Sequence, residues 1–168
     1  HFSTTDARPA RVVRIDTKNG IAILRVSGSR PTVALSPRNR RLAEESTVSA
    51  AGYGNPNRLT LGPDFAAGAT GEMPADPRLI ALDIPVTPAL AGGPVVDDNG
   101  EVVGMMIDAE QHKVLRGNAQ GYAIRIPYVT ALLSLEEDEI RRRPGHAMNF
   151  DAVKPWMNPA VVLITVNR

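Results

Sequence analysis

The segment Asp83-Ile-Pro-Val-Thr-Pro-Ala-Leu-Ala-Gly-Gly-Pro-Val-Val-Asp-Asp-Asn-Gly-Glu-Val-Val-Gly104 decides the fold. Its second half places Asn99-Gly100 between two valine pairs, and Asn-Gly supplies the positive φ angles that a tight β-turn requires. The segment therefore predicts a β-hairpin, with one strand at residues 95–96 and the next over residues 102–107.

Turn-forming residues recur throughout the rest of the chain. Glycine and proline contribute 14 residues each and divide the sequence into short segments with β-branched cores, which is typical of an all-β protein. The further predicted strands are residues 11–15, 21–26, 47–53, 79–84, 114–116 and 122–126. These lengths are compatible with a sandwich and with a barrel.

One helix is predicted near the C-terminus, over residues 129–143. Apolar residues recur there at helical spacing, Pro127 suits the start, and Pro144-Gly145 ends the pattern. Residues 144–158 are predicted to be a linker, with Pro155 inside the range and Pro159 directly after it. The β-branched run that follows predicts a last strand within residues 159–168.

Composition excludes several classes of function. The length of 168 residues corresponds to about one domain, and 19 basic against 18 acidic residues give a net charge of +1. Because no strong positive field exists, neither a nucleic-acid partner nor binding to an anionic membrane is expected. The absence of cysteine excludes disulfides and thiol catalysis, and no apolar run approaches the roughly 20 residues that cross a bilayer.

Three segments resemble the trypsin-like serine proteases, specifically the bacterial HtrA/Deg branch. Gly20-Ile-Ala-Ile-Leu24 looks like the family's Asp-[Leu/Ile]-Ala-[Val/Leu]-Leu strand. Ala89-Leu-Ala-Gly-Gly-Pro94 looks like Gly-Asn-Ser-Gly-Gly-Pro around the nucleophile, and Gly121-Tyr-Ala-Ile-Arg-Ile-Pro127 resembles the strand that ends in Ala-Ile-Pro. The resemblance covers about residues 2–134, with the segments in family order.

The resemblance implies an all-β, trypsin-like double β-barrel, with the N-terminal barrel incomplete in this chain, and one C-terminal helix. Together with the helix, linker and strand predicted from the residue pattern, it divides the chain into a partial N-terminal barrel (1–36), an inter-barrel linker (37–46), a C-terminal barrel (47–128), the helix (129–143), a linker (144–158) and an orphan strand (159–168).

Catalysis in this family requires a serine activated by a histidine, an aspartate that orients the histidine, and backbone N–H donors for the oxyanion. The nucleophile position is Ala91 and the aspartate position is Gly20, so no triad is intact. The former oxyanion loop is Ala89, Leu90 and Ala91. An engineered serine-to-alanine change could account for Ala91, but the further departures at Gly20 and at Ala89-Leu90 favour natural loss.

The catalytic histidine of the family lies upstream of the region matched here, so the third member is absent or outside this chain. None of His1, His112 and His146 occurs in the family's histidine context. The nearest alternative hydroxyl is Thr87, which the resemblance places in the loop before the oxyanion turn.

The resemblance implies a substrate cleft that would still bind a peptide or protein segment. The predicted peptide-binding strand comprises Gly121, Tyr122, Ala123, Ile124 and Arg125, to which a peptide would add as a further strand. The leading hypothesis is a catalytically inactive pseudoprotease that acts as a binding or regulatory module. An active HtrA-like endopeptidase studied as an inactivated variant is the alternative. The branch also suggests the cell envelope or periplasm.

A third hypothesis is a metal-binding protease-like protein of the magnetosome type. His112, with Asp108 and Glu110 nearby in sequence, could bind a divalent transition metal. No other cofactor is expected.

The incomplete first barrel leaves open strand edges, which expose unpaired backbone N–H and C=O groups. Residues 159–168 could fill such an edge, in the same chain or in a neighbouring copy by strand exchange, which would give a homo-oligomer. Alternatively, these residues begin a second unit. The sequence leaves both possibilities open.

Overall fold

The computed structural model describes residues 8–28, 31–37, 41–54, 62–108, 118–133 and 148–164. Nine strands and two helices lie in these ranges. They are β1 (Ala10–Asp16), β2 (Ile21–Val26), β3 (Ala34–Leu35), β4 (Thr47–Gly52), β5 (Asp64–Ala69), β6 (Leu79–Leu82), β7 (Pro94–Asp97), β8 (Glu101–Met106), β9 (Gly121–Arg125), α1 (Ile126–Leu133) and α2 (Phe150–Met157).

The larger sheet has the strand order β5-β4-β7-β8-β9-β6, and neighbouring strands are antiparallel. A β-bridge between Thr70 and Leu82 joins the two ends of this path. Beside the bridge, the Gly71 N–H donates to the Ala81 carbonyl at 2.8 Å and the Asp83 N–H donates to the Ala69 carbonyl at 3.1 Å. The sheet therefore curls round as a barrel sheet does, which confirms the prediction of a mostly β fold.

The predicted hairpin is confirmed as β7 and β8, joined by the turn at Asn99-Gly100. Gly100 has φ 71°, and the Asp97 carboxylate accepts the N–H groups of Asn99 at 2.9 Å and Glu101 at 3.0 Å. The curled sheet encloses a core of buried aliphatic side chains. Its largest members include Val48, Leu82, Ile84, Leu90, Val95, Val103 and Met106.

Strands β1 and β2 form a separate two-stranded antiparallel sheet. Strand β3 does not join them, because Ala34 and Leu35 pair in parallel with Glu101 and Val102 of β8. Residues 34–35 thus pair with the larger sheet, although they fall within the range 1–36 that was assigned to the partial first barrel. Strand β5, rich in alanine and glycine, was not predicted at all.

The helical region also differs from the prediction. Helix α1 starts at Ile126, three residues before the predicted start, and residues 134–147 lie outside the described part of the chain. The prediction of a linker over 144–158 was wrong where α2 forms. The Asn149 side chain caps this helix by accepting the Ala152 N–H at 2.9 Å, and Val153 and Met157, four residues apart, bury one face.

The tail departs from the prediction as well. Residues 161–164 form no strand, and residues 165–168 lie outside the described ranges, as does the predicted strand at 114–116. Val161 is buried in the cluster that holds Val153 and Met157, so α2 and the residue after its turn pack together. Neither helix in the described ranges is long and apolar enough to span a membrane.

Candidate active-site cavity

Two loops that are distant in sequence meet at the end of β8. The turn between β1 and β2 and the loop before β7 border a cavity of about 290 Å³. Its walls comprise Asn19, Gly20, Ala91, Gly92, Met105, Met106, Ile107, Asp108 and Ile124. The structure thus brings together Gly20 and Ala91, the two positions singled out from the sequence.

Gly20 ends the turn between β1 and β2 with φ 67°, a left-handed conformation that glycine adopts at little cost. The turn is held by Asp16, whose carboxylate accepts the N–H groups of Lys18 at 3.0 Å and Asn19 at 3.1 Å, and the Asn19 side-chain amide. The hydrogen bond from the Asn19 side chain, with the backbone donors, lowers the pKa of Asp16. Gly20 contributes no side chain to the cavity.

Asn19 also fastens this turn to the larger sheet. Its side-chain oxygen accepts from the Arg78 guanidinium at 2.9 Å, and Arg78 lies directly before β6. The same guanidinium also binds the Asp76 carboxylate, and its Nε donates to both carboxylate oxygens at 3.0 Å. The hydrogen bond from Arg78 lowers the pKa of Asp76 and in turn raises that of Arg78. We call this series of hydrogen bonds the turn bridge; it runs through Asp16, Asn19, Arg78 and Asp76.

The loop before β7 forms a tight helical turn. The N–H groups of Leu90 and Ala91 both donate to the Thr87 carbonyl at 3.1 Å, and the Gly93 N–H donates to the Leu90 carbonyl at 2.9 Å. An oxyanion hole needs N–H donors that point at the developing charge. In this turn the Ala91 N–H is instead directed at a carbonyl of its own loop.

The turn is also held from both sides. The Gly92 N–H donates to the Met106 carbonyl at 3.0 Å, and the Met106 N–H donates to the Gly93 carbonyl at 2.9 Å. On the other side, a Cβ at Gly52 would overlap the Ala89 carbonyl, so the end of β4 lies directly against the turn. The Leu90 side chain, 4% exposed, anchors it in the barrel core. Ala89 and Leu90 therefore serve to pack this loop, and neither of them lines the cavity.

The remaining catalytic candidates are not placed in the cavity. Thr87 is not among its lining residues, although its carbonyl organises the turn. His1, His112 and His146 all lie outside the described residues. Thus the described walls of the cavity contain neither a hydroxyl nor an imidazole.

The predicted peptide-binding strand is an interior strand of the sheet. Gly121 to Ile124 pair with Leu82 to Leu79 of β6, and Ala123 to Arg125 pair with Met106 to Gly104 of β8. The Tyr122 carbonyl also accepts from the Ile107 N–H at 3.1 Å. Because both edges are hydrogen-bonded, the prediction that a peptide adds to residues 121–125 as a strand was wrong. Only Ile124 of this group reaches the cavity wall.

Of the predicted metal ligands, only Asp108 is described, at the end of β8 on the cavity wall. Glu110 and His112 lie outside the described residues. Within the described ranges, no group of three or more histidine, cysteine, aspartate or glutamate side chains could hold a metal ion.

Sequence reasoning missed the turn bridge. Asn19 and Arg78 are 59 residues apart along the chain, and their contact depends on where the larger sheet places the residue before β6. The single available signal was that Asp16 and Asn19 stand three residues apart in a predicted turn, a spacing typical of side-chain capping.

The curled sheet and the cavity between the two loops define a trypsin-like domain, and comparison with known proteins agrees. The sequence profile of the trypsin-like peptidase domain matches residues 1–105 of the 168. The chain therefore belongs to the trypsin-like peptidase domain family, and within it to the HtrA/Deg branch.

Three curated relatives and one solved structure support this placement. The chain is 29% identical over 130 residues to the putative serine protease HhoB of Synechocystis sp., covering 72% of this chain and 29% of that protein. It is 30% identical over 127 residues to a probable periplasmic serine endoprotease DegP-like of Pseudomonas putida, covering 73% of this chain and 26% of that protein. The uncharacterized protein y4bJ of Sinorhizobium fredii is 34% identical over 101 residues, or 58% of this chain and 16% of that protein. The crystal structure of Deg5 superimposes with a TM-score of 0.57 at 19% identity, covering 74% of this chain and 58% of that one.

The chain thus spans less than a third of the length of these curated relatives. The Deg5 likeness shows the fold, while the family profile and the HhoB and DegP-like relatives give the domain its class: an HtrA-like serine protease domain.

Proposed function

We propose that this domain is a non-catalytic member of the HtrA/Deg branch that binds a peptide or protein segment in the cavity between Gly20 and Ala91. The observation that carries the proposal is that both residues line one cavity, at the two positions where the family resemblance expects triad side chains. A cavity that lacks both the nucleophile and the orienting carboxylate keeps space for a ligand but cannot attack it.

The chemistry supports the loss of hydrolysis at three points. The Ala91 methyl group cannot act as a nucleophile, and Gly20 has no carboxylate to orient an imidazole. The Ala91 N–H, which an oxyanion hole would need, donates to the Thr87 carbonyl instead. Restoring activity would therefore require new side chains and a rearranged turn.

The walls of the cavity indicate what it would accept. Met105, Ile107 and Ile124 give it an apolar side, Asp108 an acidic position, and its volume of about 290 Å³ is near the lower end for a ligand pocket. This size suits one or two aliphatic side chains of an extended segment better than a whole cofactor. Because β9 has no open edge, recognition would depend on the anchoring side chain more than on added strand pairing.

We also place the domain in the cell envelope. The name of the Pseudomonas relative describes that protein as periplasmic. The HhoB relative belongs to the same HtrA/Deg branch. The proposed role there is to hold a peptide or protein segment without cutting it.

Binding and cleavage should be measured together on one set of peptides. A fluorescently labelled peptide library with aliphatic anchor positions should raise polarisation, and mass spectrometry of the same mixtures should show intact peptides. Ala91→Leu would fill the cavity and should weaken binding about tenfold or more, equivalent to about 1.4 kcal/mol. Met73→Leu, an exposed position away from this cavity, is the matched control. Absence of binding, or equal binding by Ala91→Leu, would contradict the proposal.

The alternative of an active endopeptidase with an inactivated nucleophile is tested by Ala91→Ser. We expect that a fluorophosphonate probe will not label this variant. One added hydroxyl supplies neither the general base that activates a serine nor the N–H donors of an oxyanion hole. Labelling, or peptide cleavage by Ala91→Ser, would favour the active-protease alternative and overturn the non-catalytic proposal.

A further inference from the structure

A second cavity lies where the two ends of the curled sheet meet. Its volume is about 370 Å³, and Thr70, Gly71 and Ala81, which close the sheet, belong to its wall. We call it the closure pocket. Its described wall has no residue in common with that of the candidate active-site cavity. An apolar cavity of about 150 Å³ already holds one benzene molecule, so the closure pocket has room for a ligand about twice that size.

The floor of the closure pocket is hydrophobic core. Leu79, Val103 and Ile126 belong to three different core clusters, and all three line the pocket. They are nearly buried, with exposed fractions of 5%, 6% and 3%. Leu42 and Ile80 add aliphatic surface beside Val103. Because protein interiors leave few spaces larger than a water molecule, an apolar space of this size next to the core indicates a ligand site.

One polar group of the wall lacks a partner. The Ser36 hydroxyl is buried and makes no hydrogen bond within the described part of the chain. Thr70, the other hydroxyl of the described wall, donates to the Ala43 carbonyl at 2.6 Å and accepts from the Ser46 N–H at 3.0 Å. A buried hydroxyl without a partner is destabilising, so a ligand that supplies one gains affinity. Because no hydrogen bond holds the Ser36 side chain, rotation about its Cα–Cβ bond can turn Oγ toward the ligand.

The charges of the wall favour an uncharged ligand. Glu44 is the one acidic residue and Arg125 the one basic residue among the described residues that line the pocket, so their formal charges cancel. Moving an ion from water into an apolar space costs far more than moving a hydroxyl or carbonyl group that finds a partner there. A neutral ligand with a single polar group therefore matches the walls better than an ionic one.

The backbone around the pocket favours a small molecule over an extended peptide. The Thr70 N–H donates to the Ser46 carbonyl at 3.0 Å, and the Glu45 N–H donates to the Thr70 carbonyl at 2.8 Å. On the other side, the Gly71 N–H donates to the Ala81 carbonyl at 2.8 Å. A peptide that adds as a strand needs free backbone groups, and these are already paired.

We propose that the closure pocket binds a small, uncharged, largely aliphatic molecule that carries one hydrogen-bonding group, such as an alcohol or an ester carbonyl. The aliphatic part lies against Leu79, Val103 and Ile126, and the polar group pairs with the Ser36 Oγ. This site is separate from the candidate active-site cavity, so it does not depend on the function proposed there.

Three probes of equal chain length and different head-group charge test the ligand class: 1-octanol, octanoate and octylamine. The alcohol should raise the melting temperature in a concentration-dependent way, with a dissociation constant of about 1 mM. The two ions should bind about tenfold more weakly or worse, because their charge would be buried. In methyl NMR spectra, 1-octanol should shift the signals of Ile80 and Ile126. The signals of Ile107, on the candidate active-site cavity, and of the exposed Ile164 should not move.

Ser36→Ala tests the hydrogen bond. Because it removes a buried hydroxyl without a partner, it should raise the melting temperature of the free protein by about 2–4 °C. It should also weaken 1-octanol binding about fivefold or more. Ser46→Ala is the matched control, since the Ser46 hydroxyl donates to the Ala43 carbonyl at 2.8 Å and Ser46 is not among the described lining residues. This control should lower the melting temperature and leave the affinity for 1-octanol unchanged.

Four results would overturn the proposal. The first is that saturating 1-octanol moves neither the melting temperature nor the signals of Ile80 and Ile126. The second is equal affinity of Ser36→Ala and wild type for 1-octanol, and the third is tighter binding of octanoate or octylamine. The fourth is a peptide that shifts Ile80 and Ile126 where 1-octanol does not, which would assign the pocket to a peptide partner.

Discussion

The β1–β2 hairpin and the larger curled sheet are made from similar residues but differ in burial. Five of the six residues of β4 are buried, and so are five of the six of β8, whereas the first six residues of β1 are all exposed. Valine is common to β1, β2 and β8. The difference teaches that β-branched composition predicts a strand, while burial depends on whether the sheet curls back on itself or remains a single pair.

The largest expected effect tests this difference directly. Leu82→Ala removes a side chain that is 1% exposed inside the curled sheet. The loss in free energy of unfolding should lie in the upper half of the range of about 2–5 kcal/mol. Val12→Ala, at a position 52% exposed on the hairpin, should change it by less than about 0.5 kcal/mol. Urea unfolding measures both. Equal losses would mean that the hairpin face is covered in solution.

A second prediction concerns α2, the helix that was missed. Met157 is 0% exposed, and Met157→Ala should lower the free energy of unfolding. The loss should lie in the lower half of the range of about 2–5 kcal/mol, because a helix at the surface can move into the space that is left. Val162→Ala, five residues on and 57% exposed, should be nearly neutral. Thermal unfolding of the two variants compares them. A neutral Met157→Ala would show that α2 does not stabilise the sheet it packs against.

The helical turn before β7 provides the third prediction. A Cβ at Gly93 would overlap the Ala51 carbonyl, so Gly93→Ala should destabilise the protein by about 1–3 kcal/mol. Gly92 has φ 74° and open space around it, and Gly92→Asn should cost less than about 1 kcal/mol because asparagine tolerates this conformation. Chemical denaturation separates the two adjacent glycines. The reverse order would mean that the turn does not lie against β4 as described.

The success of sequence reasoning followed the range of the interactions involved. Asn99-Gly100 specified its hairpin because the turn conformation is decided within four residues. Helix α2 was missed because Pro155 and Pro159 outweighed the spacing of Val153 and Met157, whose value depends on a surface supplied by distant strands. The pairing partners of β9, and hence the loss of its open edge, likewise depend on the whole sheet.

The cavity shows the same division. The identities of Gly20 and Ala91 were evident from the family resemblance, and the structure places both at the border of one cavity. The direction of the Ala91 N–H could not be inferred, because it depends on a turn that is held by Met106 on one side and by the end of β4 on the other. Residue identity is local information, and the orientation of a backbone donor is not.

The smallest expected effect lies in the turn bridge, the one set of contacts described above that ties the hairpin turn to the curled sheet by side-chain hydrogen bonds. Asp76→Asn should lower stability at neutral pH by less than about 1 kcal/mol, since the Arg78–Asp76 pair is partly exposed. Arg78 lowers the pKa of Asp76, so the contribution is present above the ordinary carboxyl pKa and is lost as pH falls through the lowered value. The stability difference between wild type and Asp76→Asn should therefore shrink on acidification.

Urea unfolding across the acidic range measures that difference, and a double-mutant cycle with Asn19→Ala shows whether the effect reaches the hairpin. Arg78 is held by Asp76 and donates to Asn19, so removing the carboxylate should weaken the second contact and give a positive coupling energy. Additive losses, or a difference that does not change with pH, would mean that Asp76 acts only on its own loop. The hairpin would then be tied to the sheet through apolar packing at Ile21 instead.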